Sequence, residues 1–365
     1  MKFFCTKEKL ERSVRIAEQF TGKQAALPIL LDILFEQREA TLTISATNLE
    51  YAVELIIQGS QRGEGRICVP AKIISSLLQS IKEGKVEIES KQDNLFLSTP
   101  IRTVRMSGHA NADFPLIPKI KEGVEIRLPM LPFIHALERV LPAVSLSEFK
   151  PELNGVFLRA SPTRIVIAAT DTFRLAESTL LFEKKESAGS FSCILPSRVV
   201  HELTRIYTEE GEIRILGGEN QIFFESGGVK VTSRTIEGNF PDYERIIPKT
   251  FETSCFLSRE EIAGAVRSAA IFSSKIQDIQ FLFHPKEVEV FSINPDVGES
   301  KISLPTALQG KEAHSSFNYR YFLDGLGSLK EEEIFMGLNG ESGPALLRNK
   351  SDTSFFYLLM PIRRA

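Results

Sequence analysis

The side chains best equipped for chemistry are five histidines, four cysteines and a few carboxylates in turns. His109, His135, His201, His284 and His314 are scattered, and none stands at metal-ligand spacing from a cysteine or another histidine. His201-Glu202 has Arg205 where a zinc-protease helix needs its second histidine. Gly84-Lys85 and Gly310-Lys311 lack the upstream glycine of a phosphate-cradling loop, and Gly325-Leu326-Gly327 lies inside a helical pattern rather than after a strand. Cys5, Cys68, Cys193 and Cys255 form no C-x-x-C pair, so they read as buried thiols in a reducing compartment. Asp171 sits in a turn and offers a carboxylate for acid catalysis. An Asx turn that closes a hairpin explains it more simply. The expectation is no catalytic residue, no metal and no cofactor.

The basic residues follow a pattern. Lys7, Lys9, Arg12 and Arg15 fall on one amphipathic segment, with Lys23 just after it. Lys72 and Lys82, Arg139 and Lys150, Arg198 and Arg205, Arg259, Arg267 and Lys275, then Arg320 and Lys330 fall on or beside five more. Such residues can meet phosphates, which positions a duplex without reading its bases. The net charge of −3 excludes a protein that grips nucleic acid by bulk charge, so any such contact needs the basic side chains sorted onto one face.

Those segments belong to a repeat. Leu10, Val14 and Ala17, then Phe133, Leu137 and Val140, then Ile262, Val266 and Ala269 each keep the spacing of a helix with one buried face. Each follows a short strand-like run, and Ser258 with Glu261 makes a capping box on the third. Paired strand signals follow at Ile29–Phe35 with Ala40–Ser45, Gly155–Arg159 with Arg164–Ala168, and Ile279–Phe283 with Glu287–Ser292. Short turns come next, at Thr47-Asn48, Thr170-Asp171 and Asn294-Pro295. Second helices are expected over Ala71–Ile81, Ser197–Tyr207 and Tyr319–Leu329, the first two opened by proline. The step from Leu30 to Leu153, and from Thr47 to Thr170, is 123 residues. The expected fold class is α+β, three copies of one domain with two helices packed on antiparallel sheets, divided as 1–122, 123–249 and 250–365.

Length and composition agree. The chain has 365 residues, is 42% hydrophobic and 25% charged, and each third is long enough to bury a core. The N-terminus runs into charge at once, which predicts no signal peptide. No apolar run reaches the roughly 18 residues of a membrane span. A cytoplasmic protein is expected.

Several motifs then carry a resemblance across the whole chain. They are Leu153-Asn154-Gly155-Val156, Ala169 to Leu175, Phe240-Pro241-Asp242-Tyr243-Glu244-Arg245-Ile246-Ile247-Pro248, Phe317-Asn318-Tyr319-Arg320-Tyr321 and Met360-Pro361-Ile362-Arg363. With the three-copy layout they resemble the bacterial DNA polymerase III β subunit, the β sliding clamp. The resemblance implies a processivity factor with no catalysis of its own: a head-to-tail homodimer whose ring of helices encircles duplex DNA in the nucleoid. Its implied partners are the DNA polymerase III catalytic subunit, the ATP-dependent clamp loader, and other polymerases and repair proteins with clamp-binding peptides. The implied DNA contacts are Lys23, Gln24, Lys72 and Lys150. The implied dimer contact sets Val104 of one copy against Ile271 and Phe272 of the other.

The resemblance also implies a cleft for a short peptide with a glutamine and large apolar anchors. Its lining is Leu153, Thr170, Arg174, Leu175, Pro241, Arg245, Ile246, Asn318, Tyr321, Pro344, Leu358, Met360, Pro361 and Ile362. Leu358, Met360 and Ile362 alternate, as on a terminal strand with all three facing one side. Two departures stand out. Thr172 replaces a usual glycine, which resists a positive φ there. Pro151 and Glu152 replace aromatics on the loop toward DNA. A protein-only scaffold of the same repeat is the alternative function; an enzyme with a site between domains has no supporting motif.

Overall fold

The computed structural model describes residues 1–22, 27–110, 113–120, 122–147, 149–182 and 189–362. The first third of the chain forms β1 (Lys2–Thr6), α1 (Lys7–Gln19), β2 (Asp32–Thr47), β3 (Tyr51–Pro70), α2 (Ala71–Ser80), β4 (Lys85–Lys91), β5 (Asn94–Thr99) and β6 (Arg102–Ser107). The second forms β7 (Val124–Pro129), α3 (Met130–Val140), β8 (Gly155–Ser161), β9 (Arg164–Thr170), β10 (Arg174–Leu181), β11 (Phe191–Pro196), α4 (Ser197–Ile206), β12 (Glu212–Gly217), β13 (Gln221–Ser226) and β14 (Val229–Arg234). The third forms β15 (Thr253–Ser258), α5 (Arg259–Ala270), β16 (Asp278–His284), β17 (Glu287–Asn294), β18 (Gly298–Pro305), β19 (Gln309–Gly310), β20 (Ala313–Asn318), α6 (Tyr319–Gly327), β21 (Glu333–Leu338), β22 (Ala345–Asn349) and β23 (Phe355–Leu359). The order strand, helix, strands, helix, three strands therefore occurs three times. Among the described residues, the six α-helices fall where the sequence periodicity puts them.

The helices form for the expected reason. Leu10, Val14, Ala17, Phe133, Leu137, Val140, Ile262, Val266 and Ala269 are all fully buried. Each buried Leu, Val, Ile or Phe side chain contributes about 1.5–3 kcal/mol. Ser258 caps α5 by accepting from the Glu261 N–H. One strand signal is shorter than expected: Pro28–Leu31 makes a 3-10 turn before β2 begins at Asp32. Proline has no N–H for a ladder and its fixed φ suits that turn.

By contact the chain divides into two compact units. One is Met1–Leu131, Glu186–Phe191 and Arg205–Thr235; the other is Pro132–Lys185, Ser192–Thr204 and Ile236–Ala365. The first holds a four-stranded sheet, β1-β4-β5-β6, and a six-stranded sheet, β2-β3-β14-β13-β12-β7. There α1 packs on α2, β2 and β3. The second holds the nine-stranded sheet β11-β8-β9-β10-β23-β22-β21-β15-β19, apart from the first residue of β11, and the four-stranded sheet β18-β17-β16-β20. There α5 packs on α6, β17 and β18. The sequence repeat and the compact units do not share boundaries, because β3 pairs with β14 and β10 with β23. Each pairing stitches the end of one repeat to the middle of the one before it.

Candidate functional site

Within the second unit, a tight turn joins β9 to β10. The Asp171 carboxylate accepts from the backbone N–H of Phe173 and of Arg174, both at 2.9 Å. The Thr170 hydroxyl donates to the Arg174 carbonyl at 2.6 Å and accepts from the Thr172 N–H at 3.1 Å. Asp171 is therefore the Asx-turn residue that its position suggested. Thr172 sits at φ 78°, in the left-handed region. A β-branched residue there is a true outlier, and the four bonds around it show what holds it. The β2–β3 turn repeats the device: Thr47 bonds the Tyr51 carbonyl, Asn48 accepts from Glu50 and Tyr51, and Leu49 has φ 75°.

The turn delivers Arg174. Its Nε donates to Asp171 at 2.9 Å, and its Nη1 donates to the Asp324 carboxylate on α6 and to the Tyr357 hydroxyl. The guanidinium lies over the Tyr321 ring, 4.0 Å from its centroid. Burial works to lower the Arg174 pKa, but Tyr357, Asp324 and Asp171 outweigh it and raise it. Arg174 therefore stays charged and ties β10, β23 and α6 together. Asn318 caps α6, its side-chain oxygen accepting from the Arg320 and Tyr321 N–H groups, so Tyr321 is presented by the first turn of a fixed helix.

Beside Arg174 lies an apolar floor. Strand register sets Thr170 opposite Leu175, Leu175 opposite Leu358, and Leu358 opposite Leu346. Leu175, Leu358 and Leu346 form one buried cluster with Ala168, Tyr243 and Phe335. Tyr243 belongs to the 3-10 turn Tyr243–Ile246 and donates to Glu177 at 2.6 Å. Burial raises the Glu177 pKa, against the hydrogen bond from Tyr243. The same 3-10 turn leaves Ile246 half exposed and Arg245 exposed, with Arg245 paired to Asp242 at 2.7 Å.

The expected lining residues thus fall into different settings. Leu153, Thr170, Leu175 and Leu358 are buried. Arg174, Asn318, Tyr321, Pro344, Pro361 and Ile362 are half-buried, while Pro241, Arg245, Ile246 and Met360 are exposed. The alternation expected for Leu358, Met360 and Ile362 is not a strand alternation. β23 ends at Leu359, Met360 N–H reaches the Phe173 carbonyl at 2.8 Å, and Ile362 N–H goes instead to the Ser316 carbonyl at 2.7 Å. Pro361 has no N–H with which to continue the ladder.

Phe173, which is 60% exposed, and Asp324, which completes the arginine clamp, stand outside the expected lining. Large apolar character inside a turn motif was the available signal for Phe173. No local signal marks Asp324, because its role depends on where α6 lies against β10.

Of the expected DNA contacts, Lys23 and Gln24 lie outside the described residues. Lys72 is exposed at the start of α2, and Lys150 is exposed just before the 3-10 turn Pro151–Leu153. Leu146 and Phe149, 95% and 97% exposed, stand in the same loop as Lys150. An aromatic side chain is thus offered there although Pro151 and Glu152 are not aromatic. Val104 is half-buried on β6; Ile271 is 71% exposed at the end of α5, and the Phe272 ring packs over Gly298.

Comparison with known proteins gives a consistent result. Models of the DNA polymerase III beta subunit match along the chain: the N-terminal domain over residues 1–118, the central domain over 127–242 and the C-terminal domain over 244–363. The chain is 27% identical over 368 residues to a beta sliding clamp of Proteus mirabilis and 25% identical over 380 residues to that of Bacillus subtilis, with 100% of both chains covered in each case. Among solved structures, the beta subunit of DNA polymerase III from Thermotoga maritima matches with a TM-score of 0.92 at 26% identity over 100% of both chains. A Pseudomonas aeruginosa sliding clamp bound to griselimycin matches in fold with a TM-score of 0.95 at 23% identity, again over 100% of both chains.

Proposed function

The chain belongs to the DNA polymerase III β-subunit family, and on that premise we propose that two copies close head to tail into a ring around duplex DNA. The protein is a processivity factor, an accessory subunit that keeps a polymerase on its template. Division into three clamp domains, at 1–122, 123–249 and 250–365, is part of the same reading. Its work on DNA sets it in the cytoplasm, at the nucleoid.

The carrying observation is a pair of unfilled strand edges. The two pairings β3 with β14 and β10 with β23 follow one rule: the strand after the Thr-Asx or Asn turn meets the last strand of the next repeat. Applied to the third repeat, the rule leaves β18 without such a partner among the described residues, and of the three strands that close a repeat, β6 is the one these pairings do not use. A second copy supplies each with the other, which is a heterologous contact that closes. Register supports it. Ala52, Leu175 and Glu299 hold the same place after their turns, facing Thr47, Thr170 and Ile293. β5–β6 and β13–β14 match from their first pairs, Asn94 with Ser107 and Gln221 with Arg234. The rule then sets Arg105 of one copy opposite Glu299 of the other, which are opposite charges, and Val104 opposite Ser300. Ile271 and Phe272 flank that strand.

The net charge of −3 suits sliding, since a topological link needs few phosphate contacts and tight ones would arrest motion. Lys72 and Lys150 are the described residues proposed to meet DNA, with Lys23 and Gln24. The Arg174 face is proposed to take a short peptide with a glutamine and apolar anchors, from the DNA polymerase III catalytic subunit, the ATP-dependent clamp loader, and other polymerases and repair proteins. Buried Leu175 and Leu358 form its floor; Ile246 and Met360 offer apolar surface to the anchors.

The test is retention. Protein loaded by its ATPase loader on a nicked circle should stay through gel filtration and be lost when the circle is cut. Equal retention on both would support binding without encirclement and overturn the ring.

A further inference from the structure

The sheet β1-β4-β5-β6 has two edges, and the proposed ring uses only β6. The other is β1, and two bonds fix which way its backbone points. Ser90 N–H donates to the Met1 carbonyl and Lys7 N–H to the Gly84 carbonyl, both at 3.0 Å. Directions alternate in an antiparallel pair, so Phe3 and Cys5 face β4 while Lys2, Phe4 and Thr6 face away. The Gln37 side chain takes the Lys2 N–H at 2.9 Å. Among the described residues, no group takes the N–H or the carbonyl of Phe4. Beside it opens a cavity of about 670 Å³, large enough for a ligand, which reaches Gln58 and Gly59 of β3.

The third repeat shows what such an edge accepts. There β15 leads into α5 and pairs with β21, as β1 leads into α1 and pairs with β4. Phe256 stands three residues before its helix, as Phe4 does. On that edge the chain lays its own short strand: β19 sets Gly310 opposite Thr253 and Gln309 opposite Ser254. The Thr306 hydroxyl donates to the Phe256 carbonyl at 2.7 Å. β19 lies in the connection from β18 to β20, whereas β3 runs unbroken from Tyr51 to Pro70 and makes no such segment. The first repeat therefore leaves as a cavity a place that the third fills with extended backbone.

Charge narrows the occupant. Lys9 and Lys85 line the cavity and are exposed, and among the described residues neither has a carboxylate partner. Glu87, also in the lining, is neutralised by Lys2 at 2.8 Å. Burial pushes the Cys5 thiol up to about 12, and the Lys9 charge acts against that, so its field reaches the cavity wall. We propose that the free edge of β1 takes a short acidic segment of a partner protein in extended form, added as a strand at Phe4 with its carboxylates against Lys9 and Lys85. Backbone bonds to Phe4 hold such a segment, and the two lysines select its charge. The site shares no residue with the Arg174 face and does not depend on the peptide reading of that face.

The test uses the full chain and three fluorescein-labelled eight-residue peptides. One alternates valine with glutamate, one alternates valine with lysine, and the third is the first with its backbone nitrogens methylated. Anisotropy titration should give about a tenfold preference for the acidic peptide over each of the others. Lys9→Glu combined with Lys85→Glu should bring the acidic-to-basic ratio to about one or below, and Arg174→Ala should leave it unchanged. An acidic peptide that binds no better than the basic or the methylated one overturns the proposal, as does a ratio that the double variant does not move. Loss of acidic-peptide binding in Arg174→Ala would assign the peptide to the other face and overturn the proposal too. Because the charge preference is a ratio within one protein sample, partial unfolding of a variant lowers both affinities and not their quotient.

Discussion

The Arg174 guanidinium on β10 bonds the Asp324 carboxylate on α6 while lying 4.0 Å from the Tyr321 ring centroid on the same helix. One side chain thus links two elements that are 150 residues apart in sequence. The Arg174 and Asp171 side chains are each 11% exposed, whereas Asp324 is 45% exposed. Removing the buried partner leaves an uncompensated charge. Arg174→Ala should therefore cost about 3 kcal/mol in urea denaturation and abolish binding of a clamp-type peptide. Asp324→Asn, at a wetter position, should cost less than about 1 kcal/mol. Equal costs for the two would show that the clamp is not organised around Arg174.

Thr172 offers a cleaner experiment. It is exposed, at φ 78°, with no buried contact to lose. Left-handed backbone costs a non-glycine residue about 1–2 kcal/mol, and glycine returns part of that gain as unfolded-state entropy. Thr172→Gly should raise stability by about 0.5–1 kcal/mol, measured as a higher urea midpoint at unchanged slope. A lower midpoint would mean that the threonine side chain holds the turn.

The proposed ring predicts a charge swap. Arg105→Glu should bring like charges together at the β6–β18 seam and drive the protein toward its 40.8 kDa monomer by sedimentation velocity. Adding Glu299→Arg should restore about twice that mass. Ile271→Asp should also favour the monomer while leaving its unfolding midpoint nearly unchanged, since Ile271 is 71% exposed. Failure of the double variant to restore the dimer would displace the proposed register.

Glu177 gives a pH signature. Its folded pKa is raised, first by burial, above the ordinary glutamate value of about 4.3. The folded chain thus holds this proton more tightly than the unfolded chain. The resulting stabilisation is complete below the ordinary value and is lost as pH rises through the raised one. Glu177→Gln keeps an acceptor for the Tyr243 hydroxyl and removes the titration. The stability of the variant relative to the unaltered protein should climb from pH 4 toward pH 7. A flat difference would show that the carboxyl titrates normally.

The repeat and its helices were open to sequence reading because they rest on short-range physics. Leu10, Val14 and Ala17 share a face by helical periodicity alone, and Asp171 must bond its own backbone two and three residues on. Thr172 is marked only through the resemblance, which puts a glycine there; that its backbone sits at φ 78° is shown by the folded chain. The resemblance likewise pointed to Arg174 and Tyr321 as neighbours in function.

Other features depend on what the chain brings together from far away. Leu358 sits on the buried floor while Met360 is exposed, because the chain leaves the β10 ladder after Met360 and Ile362 turns to Ser316. Asp324 matters because α6 is docked where Arg174 can reach it, and nothing in its local sequence says so. The free edges of β6 and β18 emerge only once β3 has taken β14 and β10 has taken β23. Periodicity and turn chemistry act within a few residues and are written in the sequence. The β3–β14 and β10–β23 pairings and the Arg174–Asp324 bond join residues more than a hundred apart, so only the folded chain decides which side chains meet, which stay open to solvent, and which edges remain for a second copy.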